Sequence, residues 1–468
     1  MSTHISQKRS LFRTLKRALS GKEHDFTSGS IDRAIILLSI PMIVEMVMES
    51  LFAVVDIYFV GKISVNAIAT VALTESVIMI IYSIAMGLSM AATALVARRV
   101  GEKEYEGASR SAEQAILLAI MIAIFFGIIG LIFPRWILTA MGGEPDLVEE
   151  GYRYTMIMFG GNITIMLIFL INAIFRGAGD AAIAMRVLII SNVINMILDP
   201  VLIFGIGPFP ELGLEGAAIA TTTGRGLGVL YQIYILTGKS STLNIAFRQI
   251  RLIGSIVRKI ITIALGGIGQ FMIGTLSWIL MVRISAIFGP DVLAGYAIAF
   301  RIIVFTILPS WGLSNAAATL VGQNLGAGKP NRAEASVWRC ALYNVVFLAA
   351  ISILFFWQAE FFVGIFSQEP EVIKYGSMGL RYICAGYVFF AYGMVIGQAF
   401  NGAGDTRTPT ILNIICYWII ELPLAYFLGI YFDIGPAGIF LAIAISVVLL
   451  AILSIIVFRR GKWKTVKV

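Results

Sequence analysis

Histidine is nearly absent: the two in the chain, His4 and His24, both fall in the polar first 30 residues. That argues against a haem or histidine-metal centre in the body of the protein. Cysteine is scarce too. Cys340, Cys384 and Cys416 stand far apart in apolar stretches and form no CxxC pair. Neither a disulfide framework nor a thiolate zinc site is expected, and each thiol reads as a small core residue. Charge is the third shortage. Only 13% of the 468 residues are charged, against 59% apolar, and mean hydropathy is +0.90. A soluble domain carries about 25% charged residues. The composition is that of a membrane protein. Without a nucleophile–histidine pair or a metal cluster, an embedded enzyme is not expected.

What is present in quantity is long apolar sequence. A spanning helix needs about 20 such residues. Twelve segments qualify, at 34–60, 67–97, 112–133, 152–174, 184–205, 214–237, 257–285, 291–322, 334–357, 372–400, 408–431 and 435–458. The basic residues alternate between the connections. One set holds Arg98, Arg99, Lys103 and Arg110, then Arg176, then Lys239, Arg248, Arg251 and Arg258, then Lys329, Arg332 and Arg407. The other set is short and neutral or acidic. Positive residues stay in the cytoplasm, so both tails are expected there, and the net charge of +8 needs no nucleic-acid partner. Residues 1–30 hold six basic residues and no apolar run, a pattern expected of a cytoplasmic tail rather than a cleaved leader. The stretch 11–19 fits either a basic helix on anionic headgroups or a solvated tail.

The two halves repeat at an offset of 225 residues. Gly87-Leu88-Ser89-Met90-Ala91-Ala92 matches Gly312-Leu313-Ser314-Asn315-Ala316-Ala317, and Phe175-Arg176-Gly177-Ala178-Gly179-Asp180 matches Phe400-Asn401-Gly402-Ala403-Gly404-Asp405. Each half then holds six spans in the same orientation, related by an axis along the membrane normal, a plan common among transporters. The expected layout is a basic tail at 1–30, an N-lobe at 31–237, a linker at 238–256, a C-lobe at 257–458 and a tail at 459–468. The Gly-Ala-Gly-Asp loops follow no strand and lead to no Gly-Lys-Ser/Thr, so they read as helical hairpins and not phosphate cradles. Direct use of ATP is not expected.

Ionisable residues within spans mark pathways. The first half has Glu45, Glu49, Asp56, Glu75, Asp199 and Arg225; the second has Arg283, Arg301 and Glu421. Formal charge is −4 in one and +1 in the other, which points to a cation site in the first half. Glu45, Glu49 and Asp56 fall within about 40° on one helical face. Asn195 and Asp199 are four apart and share a face, with Asn192 beside them. Asp56, Asp199 and Thr221 all lie roughly 8–12 Å from the outer interface by helical rise. Two carboxylates, an amide and a hydroxyl at one depth suit a proton or Na⁺. Pro200 removes a backbone donor beside Asp199, so a bend is expected there. Glu45 and Glu49 either line a cavity for cationic substrate, or one of them pairs with Arg225.

These features together resemble the multidrug and toxic compound extrusion (MATE) family, over about residues 31–458. The likeness rests on Pro41, Asp56 and Gly61, on Ala97-Arg98-Arg99-Val100-Gly101, and on Arg176-Gly177-Ala178-Gly179-Asp180. It rests further on Asn195 through Asp199-Pro200, on Gly216-Ala217-Ala218, and on Gly322-Gln323-Asn324-Leu325-Gly326. It is most similar to the prokaryotic branch of the DNA-damage-inducible F proteins. The resemblance implies an all-α polytopic protein of twelve transmembrane helices, two six-helix lobes in a V shape, in the prokaryotic cytoplasmic membrane. It implies export of cationic or amphipathic small molecules in antiport with H⁺ or Na⁺. No other cofactor is expected, membrane lipids surround the chain, and a monomer is the default expectation. The branch's ion site matches Asp56, Asn195, Asp199 and Thr221, which would also hold Na⁺, with Asn172 as a further polar position in span 4. Glu45, Glu49, Phe52, Glu75 and Asn192 are the substrate-path candidates, and Pro41 and Pro200 the hinges. Other branches carry acidic residues in spans 7 and 10; span 7 here has Gln270, and mid-span 10 has no carboxylate. The rival reading is a flippase for a lipid-linked or polar-lipid substrate.

Overall fold

The computed structural model describes residues 14–15, 17–21, 25–238, 242–243, 245 and 251–468. Part of the basic stretch 11–19, and Lys239 and Arg248 of the linker, lie outside the described residues; 17–20 are helical. Helices α1 Ile31–Val60, α2 Val65–Gly101, α3 Tyr105–Ile132, α4 Pro134–Ala140, α5 Pro145–Gly160, α6 Asn162–Ala178, α7 Ala181–Phe204 and α8 Gly213–Thr237 build the first half. The second half has α9 Gly254–Ala286, α10 Pro290–Gly326, α11 Pro330–Gly364, α12 Pro370–Ala385, α13 Tyr387–Ala403, α14 Arg407–Tyr431 and α15 Pro436–Arg459. No strand occurs among the described residues. This is the outcome lipid demands, because a helix satisfies its own backbone polar groups. Local signals set the ends: Ser30 and Ser64 accept from the backbone N–H of Arg33 and Ala67 as N-caps.

Among the described residues, ten helices are long and apolar enough to cross a membrane, or eleven if the bent pair α12–α13 is one span. The remaining expected span is α8. Its 25 residues include glycines, threonines and Arg225, which lower its hydropathy below that of its neighbours. Spans 4 and 10 each resolve into two helices, α5–α6 and α12–α13, broken at Gly161 and Gly386. The second pair bends by 58°.

The repeat governs element ends as well as motifs. Helices α2, α5 and α6 begin and end 225 residues before α10, α12 and α13. Gly179 and Gly404 close equivalent helices with φ of 93° and 87°, the left-handed region where glycine avoids the Cβ clash. Gly404→Ala is expected to cost about 1–2 kcal/mol, since its Cβ would also approach Val468 to 2.9 Å. A lower thermal midpoint in detergent checks this; an unchanged one contradicts it.

The halves meet along α2 and α10 at the end bearing Arg98, Arg99, Lys329 and Arg332. A Cβ on Gly101 would sit 2.0 Å from the Gln323 carbonyl oxygen, and one on Gly326 would sit 2.1 Å from that of Arg98. Arg98 and Gln323 are themselves repeat partners. Likewise a Cβ on Gly87 would lie 2.8 Å from Ile268 N, and one on Gly312 would lie 2.8 Å from Ile43 N. The contacts exchange under the repeat, so an approximate two-fold axis runs between the halves. The start of α1, from Ala34 to Met42, shares a core with α10, α11 and α13, while Ile260, Ile263 and Ala264 of α9 join the core of the first half.

The C-terminal segment is not a free tail. Trp463 is buried and stacks on Phe458 at 4.7 Å, and Arg98 donates to the carbonyl of Val466 at 2.5 Å. Residues 25–30 also dock, with Lys329 and Arg332 donating to the carbonyls of Thr27, Ser28 and Gly29.

Candidate functional site

Asp56 of α1, Asn195 and Asp199 of α7, and Thr221 of α8 come together. Asn195 Nδ2 donates to Asp199 Oδ1 at 3.1 Å and to Thr221 Oγ1 at 3.4 Å, and Thr221 Oγ1 donates to Asp56 Oδ1 at 3.5 Å. All four are buried, Asp199 completely. The close approach of α7 and α8 depends on small residues. A Cβ on Gly216 would lie 2.5 Å from the Leu202 carbonyl oxygen, and one on Gly224 would lie 3.0 Å from the Asn195 Cβ. Three residues before Gly224, Thr221 is thereby held against Asn195.

The cluster has more acceptors than donors. Asn195 Oδ1 and Asp199 Oδ2 are buried with no hydrogen-bond partner. No Lys or Arg pairs with either aspartate among the described residues. Two nearby carboxylates with no cation in direct contact, Arg225 acting on Asp56 only from a distance, disfavour double ionisation, and buried orphaned acceptors cost free energy. A proton or a small hard cation relieves both, and an all-oxygen donor set suits Na⁺.

Asn172 does not join this group. Its Nδ2 donates to Glu45 Oε1 at 3.3 Å and its Oδ1 accepts from Gln232 at 2.7 Å. Glu45 stands eleven residues from Asp56 on the same helix, about 16 Å by helical rise. The Asn172 expectation is corrected for that reason: span 4 meets span 1 at the level of Glu45, not of Asp56. Glu45 in turn pairs with Arg176. Both are buried, so Arg176 is not the loop cation its place beside Gly177 suggested, and Glu45 is not open to a substrate path. The missed signal was the repeat itself. Gln270 and Asn401 lie 225 residues after Glu45 and Arg176 and pair through two amide hydrogen bonds of 3.0 and 3.2 Å.

Glu49 pairs with the buried Arg225 at 3.6 Å, whose guanidinium lies 4.7 Å from the Phe52 ring centroid. Glu75 is exposed, within electrostatic range of Asp56 and Arg225. Asn192 is corrected from lining to bracing: it is buried and donates to the Met48 carbonyl at 2.8 Å, tying α7 to α1. Pro41 and Pro200 lie inside helices that run on through them. Between the halves is a cavity of about 200 Å³. Glu49 and Arg176 supply its charge, Tyr82, Phe169, Phe271 and Trp311 its rings, and Met46, Met86 and Met90 much of the rest. Methionine and aromatic walls adapt to varied apolar ligands.

A repeated all-helical bundle with buried polar groups at membrane depth and a cavity between its halves defines a multi-pass membrane transporter. The chain belongs to the MatE family, whose model matches it twice, at 41–201 and 266–427. It is similar to the probable multidrug resistance protein NorM of Thermotoga maritima, 25% identical over 434 residues, covering 93% of each chain. It is also similar to a FAD transporter of Shewanella oneidensis, 26% identical over 429 residues, covering 92% of this chain and 94% of that one. A solved outward-facing conformation of a multidrug resistance MATE family transporter shares the fold. Its TM-score is 0.87 at 24% identity, over 93% of this chain and 96% of that one.

Proposed function

We propose that this chain exports cationic or amphipathic organic compounds in exchange for H⁺ or Na⁺ bound at Asp56, Asn195, Asp199 and Thr221. The observation that carries the reading is the acceptor-rich cluster: two aspartates from different helices, buried, with Asp199 Oδ2 and Asn195 Oδ1 unsatisfied. The ion completes that cluster. Binding it removes negative charge from α1 and α7 while the cavity between the halves holds the substrate through Glu49 and its rings. Exchange requires that ion and substrate favour different states. The convergence of the halves at the basic end supports a state open toward the other, outer side, with the basic end in the cytoplasm.

Ethidium efflux from everted vesicles tests this, under an imposed pH gradient and then an imposed Na⁺ gradient. The gradient that drives efflux names the ion. Asp56→Asn and Asp199→Asn are each expected to reduce driven efflux at least tenfold. Efflux that survives both substitutions removes the ion from this site.

A further inference from the structure

The second half holds its own cavity, of about 240 Å³, away from the central one. One wall is a stacked run of rings. Trp278 and Phe300 lie 5.4 Å apart at 29°, and Phe300 and Tyr296 lie 6.2 Å apart at 14°. Tyr417 and Phe390 line it as well. The charged group in this apolar cavity is Glu421, buried at the end of the π-helical segment Ile414–Glu421. Insertions of that kind recur at functional sites. Glu421 Oε2 accepts from Ser446 at 2.5 Å. No Lys or Arg pairs with it among the described residues. The Ser277 hydroxyl, buried, lines the same cavity and faces the Glu421 carboxylate.

The repeat tells what this cavity is. Gly216 packs on the Leu202 carbonyl, and Gly438 on that of Leu428. Seven residues before these leucines stand Asn195 and Glu421. Eight residues after these glycines stand Gly224 and Ser446, and each touches its partner: Gly224 meets Asn195, Ser446 meets Glu421. Asp56 and Glu75 correspond to Met281 and Phe300 at the offset of 225 residues, and both of those line the cavity. The cavity is therefore the second half's copy of the Asp56–Asp199 region. It has exchanged small oxygen ligands for aromatic rings and moved its carboxylate to the Asn195 position.

A lone carboxylate with rings around it is poorly suited to a hydrated metal ion. It suits a compact organic cation whose charge is spread over methyl or methylene groups, since ring faces attract such cations and the acid supplies the counter-charge. Trp278, at 41% exposed, leaves a way in. We infer that the second half carries a separate binding site for a small quaternary or tertiary ammonium, held by Glu421 and the Trp278–Phe300–Tyr296 wall. This goes beyond the exchange proposed above and does not depend on it.

The test is equilibrium binding of radiolabelled choline to the purified full-length protein. Tetramethylammonium is expected to displace it, and the neutral isostere dimethylbutanol is not. Glu421→Gln is expected to weaken binding at least tenfold. Phe300→Leu, which keeps the carboxylate, is expected to weaken it severalfold and decides the matter should the first variant fail to elute as a folded species. Wild-type binding in both variants overturns the inference, as does absence of choline binding to the wild type. Asp56→Asn is the discriminating arm. Choline binding retained within twofold there supports a separate site even if driven efflux has failed, whereas binding lost there assigns the ligand to the first half and overturns it.

Discussion

Glu45→Gln alone is expected to destabilise the protein by about 3–5 kcal/mol, because it strands the buried Arg176 guanidinium without its counter-ion. Arg176→Asn alone should cost a similar amount by stranding the acid. The double substitution is the informative one. Glu45→Gln with Arg176→Asn writes into the first half the amide pair that Gln270 and Asn401 already form in the second. Its Gln side chain can still meet Asn172, which now donates to Glu45 at 3.3 Å. Most of the lost stability should return, so the two single effects fall far from additivity. Thermal unfolding in detergent across the four proteins measures this. A double variant as unstable as the sum of the singles would show that the pair does not act as a unit. Transport is a second readout. Arg176 lines the central cavity, so a stable double variant with changed substrate preference would place the pair's charge in substrate choice.

That pair also marks where sequence reading stopped. Apolar run length located nearly every helix, because lipid leaves the backbone few alternatives. The motif offset located the repeat, and the ends of α2, α5 and α6 against α10, α12 and α13 follow it without a shift. Helical rise brought Asp56, Asp199 and Thr221 to one depth, and the helices that carry them do adjoin. Depth along one helix was legible; which neighbour sits at that depth was not. Asn172 therefore met Glu45 instead of Asp56. Arg176 looked like a loop cation because it precedes Gly177 and Gly179, and only tertiary contacts, the Glu45 side chain and Thr319 of α10 among them, bury it. The breaks at Gly161 and Gly386 escaped because the apolar run continues through both. Low hydropathy in α8 has the opposite cause: its glycines and threonines serve close contacts with α7, not contact with lipid.

Gly101→Val should have the largest effect on the state of the molecule. Its new Cβ would start 2.0 Å from the Gln323 carbonyl oxygen, which is backbone and has no rotamer to move into. The α2–α10 crossing must open by an ångström or more, and this crossing is what closes the basic end. Gly326→Val meets the same obstacle at Arg98 through the repeat. Either change raises the free energy of the closed basic end without touching the Asp56 cluster. The population should move toward states open at that end, and driven efflux should fall at least tenfold while the Asp56–Asp199 cluster stays intact. Cysteine labelling reads the shift directly. The native thiols Cys340, Cys384 and Cys416 are all buried, so background is low. Asn315→Cys would report from the wall of the central cavity. In everted vesicles, an impermeant maleimide should modify that cysteine several times faster in the Gly101→Val background than without it. Equal rates would show that the basic end is held shut by contacts other than this crossing. The docked segment from Trp463 to Val466, tied to Arg98, would be the next to remove.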